Sequence, residues 1–226
     1  MMLAEISALV EANGLASARD AIIENNVLNK NTVSGRLLTF QRLRELYSFD
    51  EQNYLFRVFR DLVNYDKGSI KLLALLVSLA RDPLLRAGAR PVLGLAKDSQ
   101  LMRDAMSNAI STATKNRLNE AVLDKVVRNA ASSWTQAGHL VGRTIKRRQP
   151  VSPTPAALAL ALWLGAQAGF HGEDLFRSGW VQALDLDPTR AKALAERAHV
   201  ARLIVFRPLA NAFELDVSPL DRLATR

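Results

Sequence analysis

Between Ala121 and Pro155 the chain reads AVLDKVVRNAASSWTQAGHLVGRTIKRRQPVSPTP. Arg143, Lys146, Arg147 and Arg148 fall in one short stretch, directly after a helical segment that carries Lys125 and Arg128. Such a cluster recognises anions, above all the phosphates of a nucleic acid, because each phosphate neutralised by Lys or Arg releases condensed counterions. From Arg117 to Pro150 there are seven basic residues against two acids, an excess of five out of a net charge of +8 for all 226 residues. The preceding helix adds Asn129, Ser132, Ser133, Thr135 and Gln136, whose side chains bond phosphates or base edges. Ser132, Lys125 and Arg128 are its candidate contacts; Arg143, Lys146, Arg147 and Arg148 are those of the ribbon.

Other chemistries find less support. No Gly-x-Ser-x-Gly, Walker or His-Glu-x-x-His sequence occurs. The acid pairs Asp50-Glu51 and Glu173-Asp174 sit where helices begin, and Asp185 and Asp187 flank a turn. With no cysteine, and with His139, His171 and His199 at no ligand spacing, neither a disulfide nor a zinc site is expected. His171 stands between glycine-flanked loop residues and reads as a surface histidine. The expectation is a chain without catalytic residues, cofactor or metal. Trp134, Trp163 and Trp180 lie on apolar helical faces, unlike a stacking platform for single strands, which interleaves aromatics with Lys and Arg.

The elements that must position the basic segment follow from periodicity. Apolar residues make up 49% of the chain, enough for a packed core. Leu3, Ile6, Leu9 and Val10 mark a first helix, ended by Gly14; a second covers about Ala16 to Asn25. Asn31 or Thr32 caps a third, with Leu37, Leu38, Leu43 and Leu46 inward and Arg36, Arg42 and Arg44 outward. Asp50 caps a fourth with Leu55, Val58, Phe59 and Leu62 buried. A fifth runs from Gly68-Ser69 to Arg81, a sixth starts at Pro83 and breaks near Gly88 and Pro91, and Asp98 or Ser99 caps a seventh. A long helix from Leu118 to Ala137 follows, with Val122, Val126, Ala130 and Trp134 toward the core. His139 to Thr144 then reads as a strand, Lys146 to Arg148 as its turn and Pro150 to Pro155 as the return. Helices over Ala156–Phe170, Glu173–Leu184 and Asp187–His199 precede a second hairpin, Arg202–Arg207 and Phe213–Val217, joined by PLANA.

Two apolar runs, Ile70–Ala80 and Ala156–Gly169, are shorter than the roughly 18–20 residues a spanning helix needs. They read as buried helices, and with no basic leader at the N-terminus the expectation is a cytoplasmic protein without membrane contact. The fold class expected is mainly α, a helical bundle over residues 1–114 followed by a helix-and-hairpin region over 115–226.

The stretches DAIIENNVLNKNTVSGRLLTFQRLRELYSFD and IKLLALLVSLARDPLLRAGARPVL, with the Ala137–Leu140 junction, resemble the BrxA family of BREX bacteriophage-defence systems. The likeness runs from about Ala18 to Val217 and carries no catalytic motif. It implies a NusB-like bundle joined to winged-helix-like elements, non-enzymatic and binding double-stranded DNA, with other BREX proteins as partners. Two alternatives stay open. One is a scaffold that docks partner proteins, and the other is a NusB-like RNA binder using the basic helix Thr32–Leu46.

Overall fold

A computed structural model describes residues 1–209 and 212–223. The described chain is mainly helical with two small antiparallel hairpins. Helices α1 (Leu3–Glu11), α2 (Ala18–Ile23), α3 (Val33–Tyr47) and α4 (Tyr54–Tyr65) lead through a 3-10 turn at Lys67–Ser69 into α5 (Ile70–Arg81). Then come α6 (Pro83–Ala87), α7 (Ala89–Leu93), α8 (Arg103–Ala113) and α9 (Glu120–Gln136). The first hairpin is β1 (Leu140–Val141) with β2 (Arg147–Arg148). Helices α10 (Pro155–Gln167), α11 (Glu173–Arg177), α12 (Gly179–Gln182) and α13 (Pro188–Val200) separate it from the second, β3 (Val205–Pro208) with β4 (Phe213–Asp216). A last helix, α14 (Ser218–Leu223), closes the described chain.

Polar side chains set the helix starts. Thr32 Oγ1 accepts from Gly35 N–H at 3.0 Å, Asn119 Oδ1 from Val122 N–H at 2.9 Å, and Asp187 Oδ1 from Arg190 N–H at 2.9 Å. Each satisfies an N–H that the helix cannot, worth about 1 kcal/mol. Pro83, Pro155 and Pro188 occupy first turns, where the missing N–H costs nothing.

The two apolar runs form the centre. Every residue of α10 from Ala156 to Gly165 is buried, as is α5 from Leu72 to Leu79. A helix apolar all round has no face to give to water and must be surrounded. The surround of α10 consists of α4 and α5 from the N-terminal part of the chain and α11, α12 and α13 from the C-terminal part. The apolar core is one continuous cluster reaching from Met1 to Leu220, and it crosses residue 115. Among the described residues no helix is long and apolar enough to cross a membrane.

Several elements differ from the sequence reading, each for a local reason. Asn53, not Asp50, caps α4; Asp50 instead accepts from Gln52 N–H in the preceding turn. Leu37 and Leu38 are 48% and 47% exposed, because α3 meets the core on the face of Thr39, Leu43 and Tyr47. Asp98 and Ser99 cap nothing: α8 starts at Arg103, and Asp98–Leu101 pairs with the ribbon. The stretch Glu173–Leu184 is two short helices divided by Ser178, which caps the second. Val122 is exposed near the start of α9, beyond the buried stripe of Val127, Ala130, Ala131 and Trp134. The second hairpin forms as expected, with Phe206 opposite Leu215; Ala210 and Asn211 of its PLANA connection lie outside the described residues, as do 224–226 of the C-terminal region.

Candidate nucleic-acid interface

Helix α9 and the β1–β2 ribbon hold the basic segment. Trp134 and Leu140 are buried and fix the ribbon's root, and the Trp134 ring meets the His139 ring edge-on at 4.9 Å between centroids. The chain reverses over Gly142–Lys146 rather than Lys146–Arg148, so Arg147 and Arg148 are strand residues. Gly142 makes this possible: its φ is +103°, and a Cβ there would stand 2.1 Å from the Ile145 carbonyl oxygen. The outer edge of β2 is also occupied. Leu101 N–H donates to Lys146 O and Asp98 N–H to Arg148 O, both at 2.8 Å, and Arg148 N–H donates to Ser99 O at 2.9 Å.

Strand alternation then sorts the two arginines. Arg147 is exposed, its guanidinium donating to Asp98 O at 3.0 Å. Arg148 points the other way, its side chain only 5% exposed and ion-paired with Asp185. The Arg148 guanidinium also donates to the carbonyls of His139 and Gln149, while Asp185 Oδ2 accepts from Val151 N–H at 2.8 Å. Arg148 is therefore a buried brace between the ribbon and the loop before α13, and it is not a surface phosphate contact. The sequence missed this because the partner lies 37 residues away, in a turn.

His139 belongs to the same buried cluster. Its Nε2 donates to Ala183 O at 2.9 Å. Burial pushes the imidazole down to about 4, with the Asp185 carboxylate opposing that shift and Arg148 adding to it. The ring is neutral at neutral pH.

The other candidates divide between two sides of α9. Lys125 and Ser132 are exposed, and with Asn129 and Gln136 they form one wall of a groove of about 960 Å³. Its opposite walls carry Arg42 but also Glu5, Glu45 and Asp82, so that side is mixed in charge. Ser132 Oγ accepts from Gln136 Nε2 at 3.1 Å and keeps its own proton to donate. Ser133, expected on the exposed face, is buried and accepts from the Met1 amino group.

The second side is more uniformly positive. Lys146 Nζ folds back to donate to Thr135 Oγ1 at 2.9 Å. Thr135 lies seven residues, or two turns, beyond Arg128, so the Lys146 ammonium continues the line of Arg128 along α9. Arg143 stands exposed at the ribbon tip without an ion-pair partner among the described residues. Arg128 shares Asp124 with Arg103 of α8, which lies outside the basic segment read from the sequence. One carboxylate under two guanidiniums leaves the pair net positive. The structure thus brings Arg103, Arg128, Arg143, Lys146 and Arg147 to the ribbon side of α9, against Asp98 and Asp124.

No protein-family model, curated protein or solved structure matches the chain.

Proposed function

We propose that the chain binds duplex DNA, without catalysing a reaction, through the ribbon side of α9, mainly by phosphate contacts. The observation that carries this reading is the row formed by Arg128, Lys146 and Arg143, with Arg103 and Arg147 beside it, exposed or half-exposed on one surface. Lys125 flanks the row, and Ser132 contributes from the groove wall. Arg148 holds the ribbon in place from beneath. Reading the bundle as NusB-like and the α9–ribbon unit as winged-helix-like is part of the proposal. So is a place as an accessory protein in a BREX-type defence system in the cytoplasm, whose support is the sequence likeness.

The test is fluorescence anisotropy with a labelled random duplex at two salt concentrations. If about four phosphates are neutralised, log affinity falls against log salt with a slope of about −3.6. Replacing Arg143, Lys146 and Arg147 together with Ala weakens binding to every duplex alike and flattens that slope by about 2.7. Unchanged affinity in that triple variant, or no binding at low salt, refutes the reading. Tighter binding to RNA of equal length would move the same surface to an RNA partner.

A second reading has an observation of its own. Val33, Leu37 and Leu38 are exposed on α3, and an apolar strip of this kind is how a scaffold docks a partner protein. That reading gains if the duplex experiment is negative.

A further inference from the structure

A cleft of about 550 Å³ shares no lining residue with the basic row. Its apolar wall is built from Leu79 of α5, Leu93 of α7, Phe170 after α10 and Trp180 of α12. Arg86 of α6 and Arg90 of α7 stand at its margin. Phe170 is 39% exposed, and Trp180, packed against the core along one side, is half-buried, so both aromatic rings border the open space. The volume is that of a small-molecule site, about 300–1,000 Å³, and the lining is mostly apolar with a few polar groups, as such sites are.

The charges at the margin say what the site would take. No Asp or Glu lines the cleft. Neither the Arg86 nor the Arg90 guanidinium has an ion-pair or hydrogen-bond partner among the described residues, whereas Arg60, Arg128 and Arg148 each have a carboxylate. The Trp180 indole N–H is likewise without a protein acceptor. A guanidinium is weakly hydrated and offers a planar fork that fits a carboxylate. Gly179 forms part of the wall with nothing within 4 Å of where a Cβ would stand, and its backbone is of the ordinary negative-φ kind.

We propose that this cleft binds a small organic acid with one carboxylate and an apolar acyl or aryl body. The body lies against Leu79, Leu93, Phe170 and Trp180, and the carboxylate meets Arg86 and Arg90. The site is independent of the nucleic-acid surface, so either reading can fail alone.

The probe is 8-anilinonaphthalene-1-sulfonate, an aromatic body with one anionic group, titrated into the folded protein with energy transfer from tryptophan as the signal. Saturable one-site binding is expected, displaced by decanoate and far less by decanol, which has the chain without the charge. Arg86→Gln with Arg90→Gln should weaken decanoate about ten- to a hundredfold while leaving decanol unchanged, as loss of a charge-assisted bond implies. These arginines are exposed, so the double variant keeps its fold. Gly179→Leu fills the cleft and should abolish binding of both the probe and decanoate. Equal displacement by decanoate and decanol, or undiminished decanoate binding in the arginine double variant, overturns the proposal.

Discussion

Asp185→Asn isolates what the buried brace under the ribbon contributes. Asn matches Asp in shape, and the backbone at 185 has a φ of +57°, a left-handed conformation that Asn tolerates as Asp does. The variant therefore removes a charge and little else. Arg148 and Asp185 side chains are 5% and 14% exposed, so the remaining guanidinium is left charged and shielded from water. Breaking one side of such a pair costs about 3–5 kcal/mol. The lower end is expected, because the Asn oxygen still accepts from Val151 N–H and the carbonyls of His139 and Gln149 still accept from Arg148. For a chain of this size about 3 kcal/mol lowers Tm by about 6–12 °C. Differential scanning calorimetry or thermal circular dichroism reads the shift. Adding Arg148→Met to Asp185→Asn removes the stranded charge and should recover part of the loss, whereas Arg143→Ala, at an exposed unpaired site, should stay within about 0.5 kcal/mol of the parent. A Tm within 1 °C of the parent for Asp185→Asn would show that Arg148 is solvated in solution, and the brace would have to be abandoned.

Burial of neutral His139 makes stability depend on acid. The unfolded imidazole takes its proton near pH 6.5 and the folded one only near 4, so the contribution is complete above 6.5 and is lost as pH falls from 6.5 to 4. The loss is about 3 kcal/mol, read from urea midpoints across that range; a flat profile there would contradict the buried neutral ring. Gly142→Val should disrupt the ribbon turn and reduce duplex binding, and it should also lower the thermal transition because the same ribbon carries Arg148. An unaltered binding curve would detach the ribbon from the interface. Leu160→Ala in the middle of α10 should cost about 2–5 kcal/mol by urea denaturation, and a cost under 1 would mean that α10 is not the packed centre.

What could be read from the chain beforehand follows a physical division. The central helices were legible because Ile70–Ala80 and Ala156–Gly169 are apolar without being long enough to span a membrane. The starts of α3 and α13 were legible because the capping residue, or the proline after it, stands beside the apolar stripe, whereas α9 starts two residues later than its apolar pattern suggests, after the Asn119 cap. The ribbon was legible in existence and not in register: Gly142, not the basic run, is where the chain can reverse, and a shift of one residue decides which of Arg147 and Arg148 is outside. Arg148 and Asp98 escaped because their roles depend on partners far away in sequence, which local patterns do not carry. The same limit hid Arg103 beside Asp124 and the cleft with Arg86, Arg90 and Trp180, whose walls come from three separated segments. On α3, Leu37 and Leu38 fit the helical period as well as Leu43 does, and only the neighbours α2 and α5 decide which face is covered.

The burial of α10 among α4, α5, α11, α12 and α13 has a consequence for synthesis on the ribosome. More than seventy residues separate the end of α5 from the start of α10. At about 5–20 residues per second, α5 leaves the exit tunnel roughly 4–15 s before its main apolar neighbour follows. For that interval the leucines of α5 that α10 will cover face the solvent of the nascent chain. A holdase that binds apolar nascent segments would find one there, and slower synthesis between the emergence of α5 and that of α10 would lengthen its exposure.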